Sequence, residues 1–138
     1  MEISAQVRSG PGGHEVRVST GSSSQTLVIP AKAAGRGSAV NGGEFLALAL
    51  ATCYCNDLYR EAERLGVPVT GCEVAAAARF DGIGAGAASI RYSVRVDSPA
   101  PPARIEQVLA ETDRLAEVHN TLRAGCAVER VAWPDGVG

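Results

Sequence analysis

Short alternating segments open the chain. Residues 3–7 read as a strand that runs into the turn Ser9-Gly10-Pro11-Gly12-Gly13. His14-Glu15-Val16-Arg17-Val18-Ser19 then alternates polar and apolar positions, the period-2 pattern of a half-buried strand. On this phase His14 is polar and solvated. After the turn Gly21-Ser22-Ser23-Ser24, Thr26-Leu27-Val28-Ile29 forms a third strand, stopped by Pro30. These three strands predict an antiparallel meander, followed by a loop over 31–43.

At Asn41 the period changes. Asn is a favoured N-cap, and Glu44 three residues on completes a capping-box pattern. Residues 45–51 are apolar on every face, which predicts a helix buried all round. Past Cys55 the helix turns amphipathic: Asn56, Asp57, Arg60, Glu61, Glu63 and Arg64 alternate with Leu58, Tyr59, Ala62 and Leu65. Gly66 ends it, with Pro68 close behind. Such a helix has ~23 residues and spans ~35 Å. Strands are expected over 67–80 and 88–96, joined by a turn centred on Gly82-Ile83-Gly84. Ile90, Tyr92, Val94 and Val96 face one side of the second, with Arg91, Ser93, Arg95 and Asp97 on the wet side. Beyond the rigid connector Ser98-Pro99-Ala100-Pro101-Pro102, helical spacing runs over 103–115, and a shorter helical piece over 118–124. A last strand is expected over 127–133. The order βββ-α-ββ-αα-β predicts an α+β fold in one domain spanning residues 1–138.

Composition narrows the function. At 138 residues and 46% hydrophobic, the chain can build a core, so global disorder is excluded. Thirteen Lys and Arg against fifteen Asp and Glu give a net charge of −2 and no basic patch, so nucleic acid is not an expected partner. Nor is a membrane: residues 45–51 are the longest clean apolar run, and a span needs about 20. The first residues lack the basic start and apolar stretch of a secretion signal, which points to the cytoplasm.

Four cysteines are too few and too unevenly placed for a disulfide scaffold. In a reducing compartment they are core filler, metal ligands or reactive thiols. Cys53 has Asn56, Asp57 and Arg60 at i+3, i+4 and i+7. Arg60 on that stripe, or Arg36 from the preceding loop, is placed to lower its pKa and make it a nucleophile. Cys55 lies about 200° further round the helix, so a Cys53–Cys55 disulfide would require the helix to break. The same separation argues against a zinc site, and no metal is expected. Cys72 and Cys126 stand alone in the sequence. His119, beside Asn120 and Arg123, reads as exposed on a polar face, although a Cys53–His119 hydrolase remains a third-ranked possibility.

The run Asn41-Gly42-Gly43-Glu44-Phe45-Leu46-Ala47-Leu48-Ala49-Leu50-Ala51-Thr52-Cys53 resembles the central-helix signature of the OsmC/Ohr family, the osmotically inducible and organic hydroperoxide resistance proteins. Arg64-Leu65-Gly66-Val67 is similar to that family's helix exit. Val118-His119-Asn120-Thr121-Leu122-Arg123-Ala124-Gly125 is similar to the segment after its second cysteine. The resemblance implies an OsmC-like fold in an intertwined homodimer, without cofactor, that reduces small organic or inorganic hydroperoxides. Cys53 falls on the peroxidatic position. Glu44 is the acidic residue of the matching motif, and Arg36 is the candidate for the Arg it holds. Ala116 stands where the family has its second cysteine. Resolution of the sulfenic acid is therefore expected from Cys126, from Cys55 after local unwinding, or from an external thiol or dithiol. The alternative is a non-catalytic dimer of the same fold that binds a small apolar ligand.

Overall fold

The computed structural model describes residues 1–133. Its elements run in the order β1 (Ile3–Gly10), β2 (Gly13–Thr20), β3 (Ser23–Leu27), α1 (Gly42–Arg64), β4 (Gly71–Phe80), β5 (Ala87–Asp97), α2 (Pro102–Leu115) and α3 (Glu117–Ala124). The architecture is α+β, in two compact units, Met1–Leu46 and Ala47–Gly138.

In the first unit, β1, β2 and β3 form an antiparallel meander in which Val7 faces Val16, and Val16 faces Leu27. The pairing places Ile3, Ala5, Val7, Val16 and Val18 on one face of the sheet. β1 runs three residues past its expected end, because Pro11 and Gly12 alone make the turn. β3 starts at Ser23, inside the expected turn, since Gly21, with a φ of 56°, and Ser22 complete the reversal.

Helix α1 starts as the sequence predicts. The Glu44 carboxylate accepts the Asn41 N–H at 2.7 Å, and the Asn41 side-chain oxygen accepts the Glu44 N–H at 2.9 Å. This is a closed capping box. At the other end Gly66 adopts a φ of 66°, the Val67 N–H reaches the Ala62 carbonyl at 2.8 Å, and the Gly66 N–H reaches Glu63 at 3.1 Å. That pair of bonds is a Schellman motif, which needs the left-handed residue that glycine supplies.

Two expectations about α1 are corrected. Its 45–51 stretch is not buried all round: only Leu50 is buried there, and Leu48 is 56% exposed. An apolar surface on every side needs cover on every side, and one chain supplies it on one. The later half is not simply wet on its polar face either. Asp57 and Glu61 are both buried, because Arg60 and Arg64 fold over them.

In the second unit β4 and β5 form a hairpin, with Cys72 opposite Val96 and Val74 opposite Val94. The first strand begins at Gly71, four residues later than expected, after the Val67-Pro68 stretch has left the helix. Pro102 opens α2 at its first turn, where a missing N–H costs nothing. The core gathers Tyr54, Leu58, Ala62, Val67, Val108 and Ala116, flanked by Tyr92, Val94 and Val96. The strand expected over 127–133 does not form. Val128, Val131 and Trp133 are exposed, with no ladder to join. Among the described residues, no helix is long and apolar enough to cross a membrane.

Candidate active site around Cys53

Cys53 sits at the middle of α1, half-buried against the core. One turn later on the same face is Asp57, and the Cys53 thiol donates toward its Oδ2 at 3.5 Å. The start of α3 closes the other side. Glu117 brings Oε2 to 4.0 Å of the sulfur, and the neighbouring backbone N–H of Val118 favours its anionic form. Amides of a helix's first turn have no partner within the helix, so this one is free to hold a sulfur anion.

Arg60 organises the carboxylates. Its Nη1 lies 2.9 Å from Asp57 and 3.7 Å from Glu117, while its Nε reaches Glu61 at 3.1 Å. Arg60 is therefore the cation of this cluster. Arg36 and Glu44 belong to the first unit: Glu44 is engaged in the capping box, and Arg36 is exposed beside a depression lined by Pro11, Gly13 and Ala31.

The expected depression of the Cys53 pKa is not seen in the single chain. Burial raises it above the usual thiol value, and the Asp57 and Glu117 carboxylates add to the rise. The Val118 amide pulls the other way and is outweighed. Asp57 is also raised, chiefly by burial and then by the Glu117 carboxyl beside it, with Arg60 opposing. Both groups therefore hold their protons more tightly than they would in water, with the thiol bonded to the Asp57 carboxyl. Donor atoms of Cys53, Asp57 and Glu117 lie within 4.8 Å of one another, the spacing of a metal-ligand set. Arg60 already balances both carboxylates.

Cys55 points away from Cys53, as its angular offset requires, and its sulfur lies 3.3 Å from that of Cys72. Cys126 is exposed beyond α3. Ala116, at the junction of α2 and α3, is fully buried.

His119 departs from expectation. It is 3% exposed, packed edge-on against Tyr92 at 4.6 Å and tilted against Tyr54 at 5.5 Å. Burial, with Arg123 beside it, lowers its pKa and keeps the ring neutral. Among the described residues neither ring nitrogen has a hydrogen-bond partner, so no bond joins it to Cys53. The ring instead lines a cavity of about 320 Å³ with Leu50, Ile90, Tyr92, Leu122 and Arg123. His14 also differs: both its ring nitrogens are shielded from solvent and unpaired.

Sequence spacing already places Asp57 one turn from Cys53. Glu117 and Val118 approach only through the tertiary fold and carry no sequence signal toward it. Cys72 did carry one: it shares the inward phase of β4 with Val74, Ala76 and Ala78, the face toward the core.

The family model described as OsmC-like protein matches residues 35–130. No curated protein sequence matches. Among solved structures, a hypothetical protein from Aquifex aeolicus is similar at a TM-score of 0.65 and 13% identity, with 90% of this chain and 89% of that one covered. An OsmC-like protein from Mycoplasma pneumoniae gives 0.61 at 16% identity, covering 88% and 86%. An organic hydroperoxide resistance protein OsmC from Legionella pneumophila gives 0.59 at 15%, covering 89% and 90%. At these identities the likeness is one of fold.

Proposed function

The chain belongs to the OsmC-like family, and from that premise we propose that it reduces hydroperoxides through Cys53, with Asp57 as its base. The observation that carries the reading is the Cys53 sulfur 3.5 Å from the Asp57 carboxylate, with Glu117 at the start of α3 closing the other side at 4.0 Å. The hydroperoxide resistance named for the Legionella protein supports it by kinship.

Asp57 takes the Cys53 proton as the peroxide approaches, and the Val118 N–H holds the thiolate. The thiolate attacks the terminal oxygen of ROOH, and the O–O bond breaks. The alkoxide leaves with the proton stored on Asp57, so ROH departs and Cys53 becomes a sulfenic acid. Ala116 occupies the place of the second family cysteine, and Cys55 faces Cys72. We therefore assign resolution to an external thiol. One RSH forms a mixed disulfide with Cys53 and releases water; a second regenerates the thiol and releases RSSR. The cavity beside Leu50, one turn before Cys53, has the apolar lining that an organic tail requires.

A homodimer belongs to the same proposal. Leu48 and its neighbours on α1 leave an apolar surface that a second copy would cover.

The test is the rate at which Cys53 is oxidised by cumene hydroperoxide and by hydrogen peroxide, read by quenched flow and peptide mass spectrometry. The expected result is oxidation faster than that of free cysteine at the same pH, falling by about 10²-fold in Asp57→Asn. A rate no faster than free cysteine's sinks the catalytic reading. The second reading then takes over, a non-catalytic dimer that binds a small apolar ligand in the same cavity. The buried, unpartnered ring of His119 favours it, since a ligand with one polar end would satisfy that ring.

A further inference from the structure

We propose that Cys55 and Cys72 are a redox pair that closes to a disulfide by exchange with a low-molecular-weight disulfide, locking helix α1 to strand β4. Their sulfurs are 3.3 Å apart, in contact, and about 1.3 Å from bonding distance. Seventeen positions separate them, enclosing the end of α1, the Gly66 turn and the first residues of β4. Each is half-buried, so a small reagent can reach the pair while bulk solvent does not surround it.

The contact is built into the fold. Cys55 lies on the side of α1 away from Cys53 and its carboxylates, and Cys72 lies on the inward phase of β4, packed against the core. Both elements are fixed at this junction. The Schellman motif sets how the chain leaves α1, and the Thr70 N–H bonded to the Asp97 carbonyl at 2.8 Å sets where the hairpin begins. Two thiols held together this way meet at an effective concentration far above that of any small thiol in solution. Closing the link therefore costs little chain entropy, because the fold has already brought its ends together.

Among the described residues neither thiol has an Arg or Lys bonded to it, and burial raises the Cys72 thiol. That disfavours direct attack on a peroxide and favours exchange, in which the second step is intramolecular. One of the two, as thiolate, attacks a small disulfide RSSR; its S–S bond breaks, a mixed disulfide forms and one RSH leaves after taking a proton. The neighbouring thiolate attacks the protein sulfur of the mixed disulfide and expels the second RSH. Two protein thiols are oxidised, and one small disulfide is reduced to two thiols. The proposed peroxidase cycle would release such a disulfide, but this chemistry does not depend on Cys53.

The test uses the folded Cys53→Ser protein, so that Cys55 is the single cysteine in tryptic peptide 37–60. The protein is equilibrated with equal millimolar reduced and oxidised glutathione, alkylated and digested. The expected product is peptide 37–60 linked to peptide 65–79 in more than about nine in ten molecules, from the proximity of the two sulfurs. Cys55→Ser and Cys72→Ser should each abolish it, with Cys72→Ala replacing the latter should it fail to fold. The proposal is overturned by alkylation of both thiols in most molecules, by a lasting glutathione adduct on either, or by a link to the Cys126 peptide instead. Loss of peroxide reactivity at Cys53 in the unmutated chain would leave it standing.

Discussion

The meander of the first unit and the hairpin of the second have the same design on paper: antiparallel strands with one apolar face. Their fates differ. Tyr92, Val94 and Val96 on β5 pack against Tyr54, Leu58 and Val108 from two helices. In β1, Ile3 and Val7 are 69% and 60% exposed, and Val16 is the one buried hydrophobic residue among the meander strands. Alternation in a strand tells which face wants cover and is silent on what provides it. In the second unit the cover comes from α1, α2 and α3. The meander taken by itself supplies no such cover; for it, as for Leu48 on α1, a second copy of the chain is our proposal.

The largest effect that bears on this contrast is in the core. Leu58 is fully buried, so Leu58→Ala should cost about 3 kcal/mol in urea unfolding. Val7→Ala, at an exposed site, should cost under about 0.5 kcal/mol in the dilute single chain. A Val7→Ala cost that grows with protein concentration would identify the meander as part of the contact between copies. Next in size is Leu48→Glu. A carboxylate in a buried apolar contact lacks partners, so self-association by sedimentation equilibrium should weaken at least about tenfold with helix content unchanged. A wild-type protein that sediments as one 14.2 kDa chain at micromolar concentration would remove the need for that cover.

Smaller, and opposite in sign to each other, are the effects of two buried carboxylates one turn apart. Arg64, then Arg60, hold Glu61 below the usual carboxylate range, so its contribution to stability is complete above about pH 4.3 and is lost as pH falls through its folded value. Asp57 is raised, so the folded state holds its proton more tightly than the unfolded chain does. Stability is therefore lost as pH rises from about 3.9 through the folded value. Urea midpoints between pH 3 and 7 should place Glu61→Gln below wild type at pH 7 and Asp57→Asn above it, both differences shrinking toward pH 3. An Asp57→Asn midpoint below wild type at pH 7 would reverse the sign assigned to Asp57. A base that stabilises catalysis while destabilising the fold is the kind of conflict expected of a working site.

Much of the fold was legible because its signals are local. The Asn41–Glu44 pair, Gly66 and the β5 alternation each act within a few residues of themselves, and each appears where the sequence put it, whereas Pro102, read as the end of the connector, opens α2. What failed depended on distant partners. Residues 127–133, expected as a strand, find no neighbour to pair with. Asp57, Glu61 and His119 are polar residues whose burial is set by Arg60, Arg64 and the two tyrosines. The candidate site divides the same way. Asp57 follows from helical spacing, whereas the contact of Cys55 with Cys72 and the approach of Val118 to Cys53 exist only once the hairpin and α3 have docked.

The smallest predicted effect separates two roles for Glu44. By resemblance it would hold the Arg that activates Cys53; in the structure both its side chain and its N–H are engaged with Asn41. Gln can serve at the third position of a capping box as Glu does, so Glu44→Gln should change stability by less than about 0.5 kcal/mol. The Arg nearest the thiol's carboxylates is Arg60, which needs nothing from Glu44 to stay in place, because Asp57, Glu61 and Glu117 all hold it. Oxidation of Cys53 by cumene hydroperoxide should therefore proceed in Glu44→Gln at the wild-type rate, where Asp57→Asn is slow. Asn41→Ala supplies the control, since it removes the N-cap and should cost about 1 kcal/mol without touching the thiol. If Glu44→Gln instead slows oxidation while its urea midpoint holds, the capping box is not the whole role of Glu44, and the assignment of Arg60 as the sole cation fails.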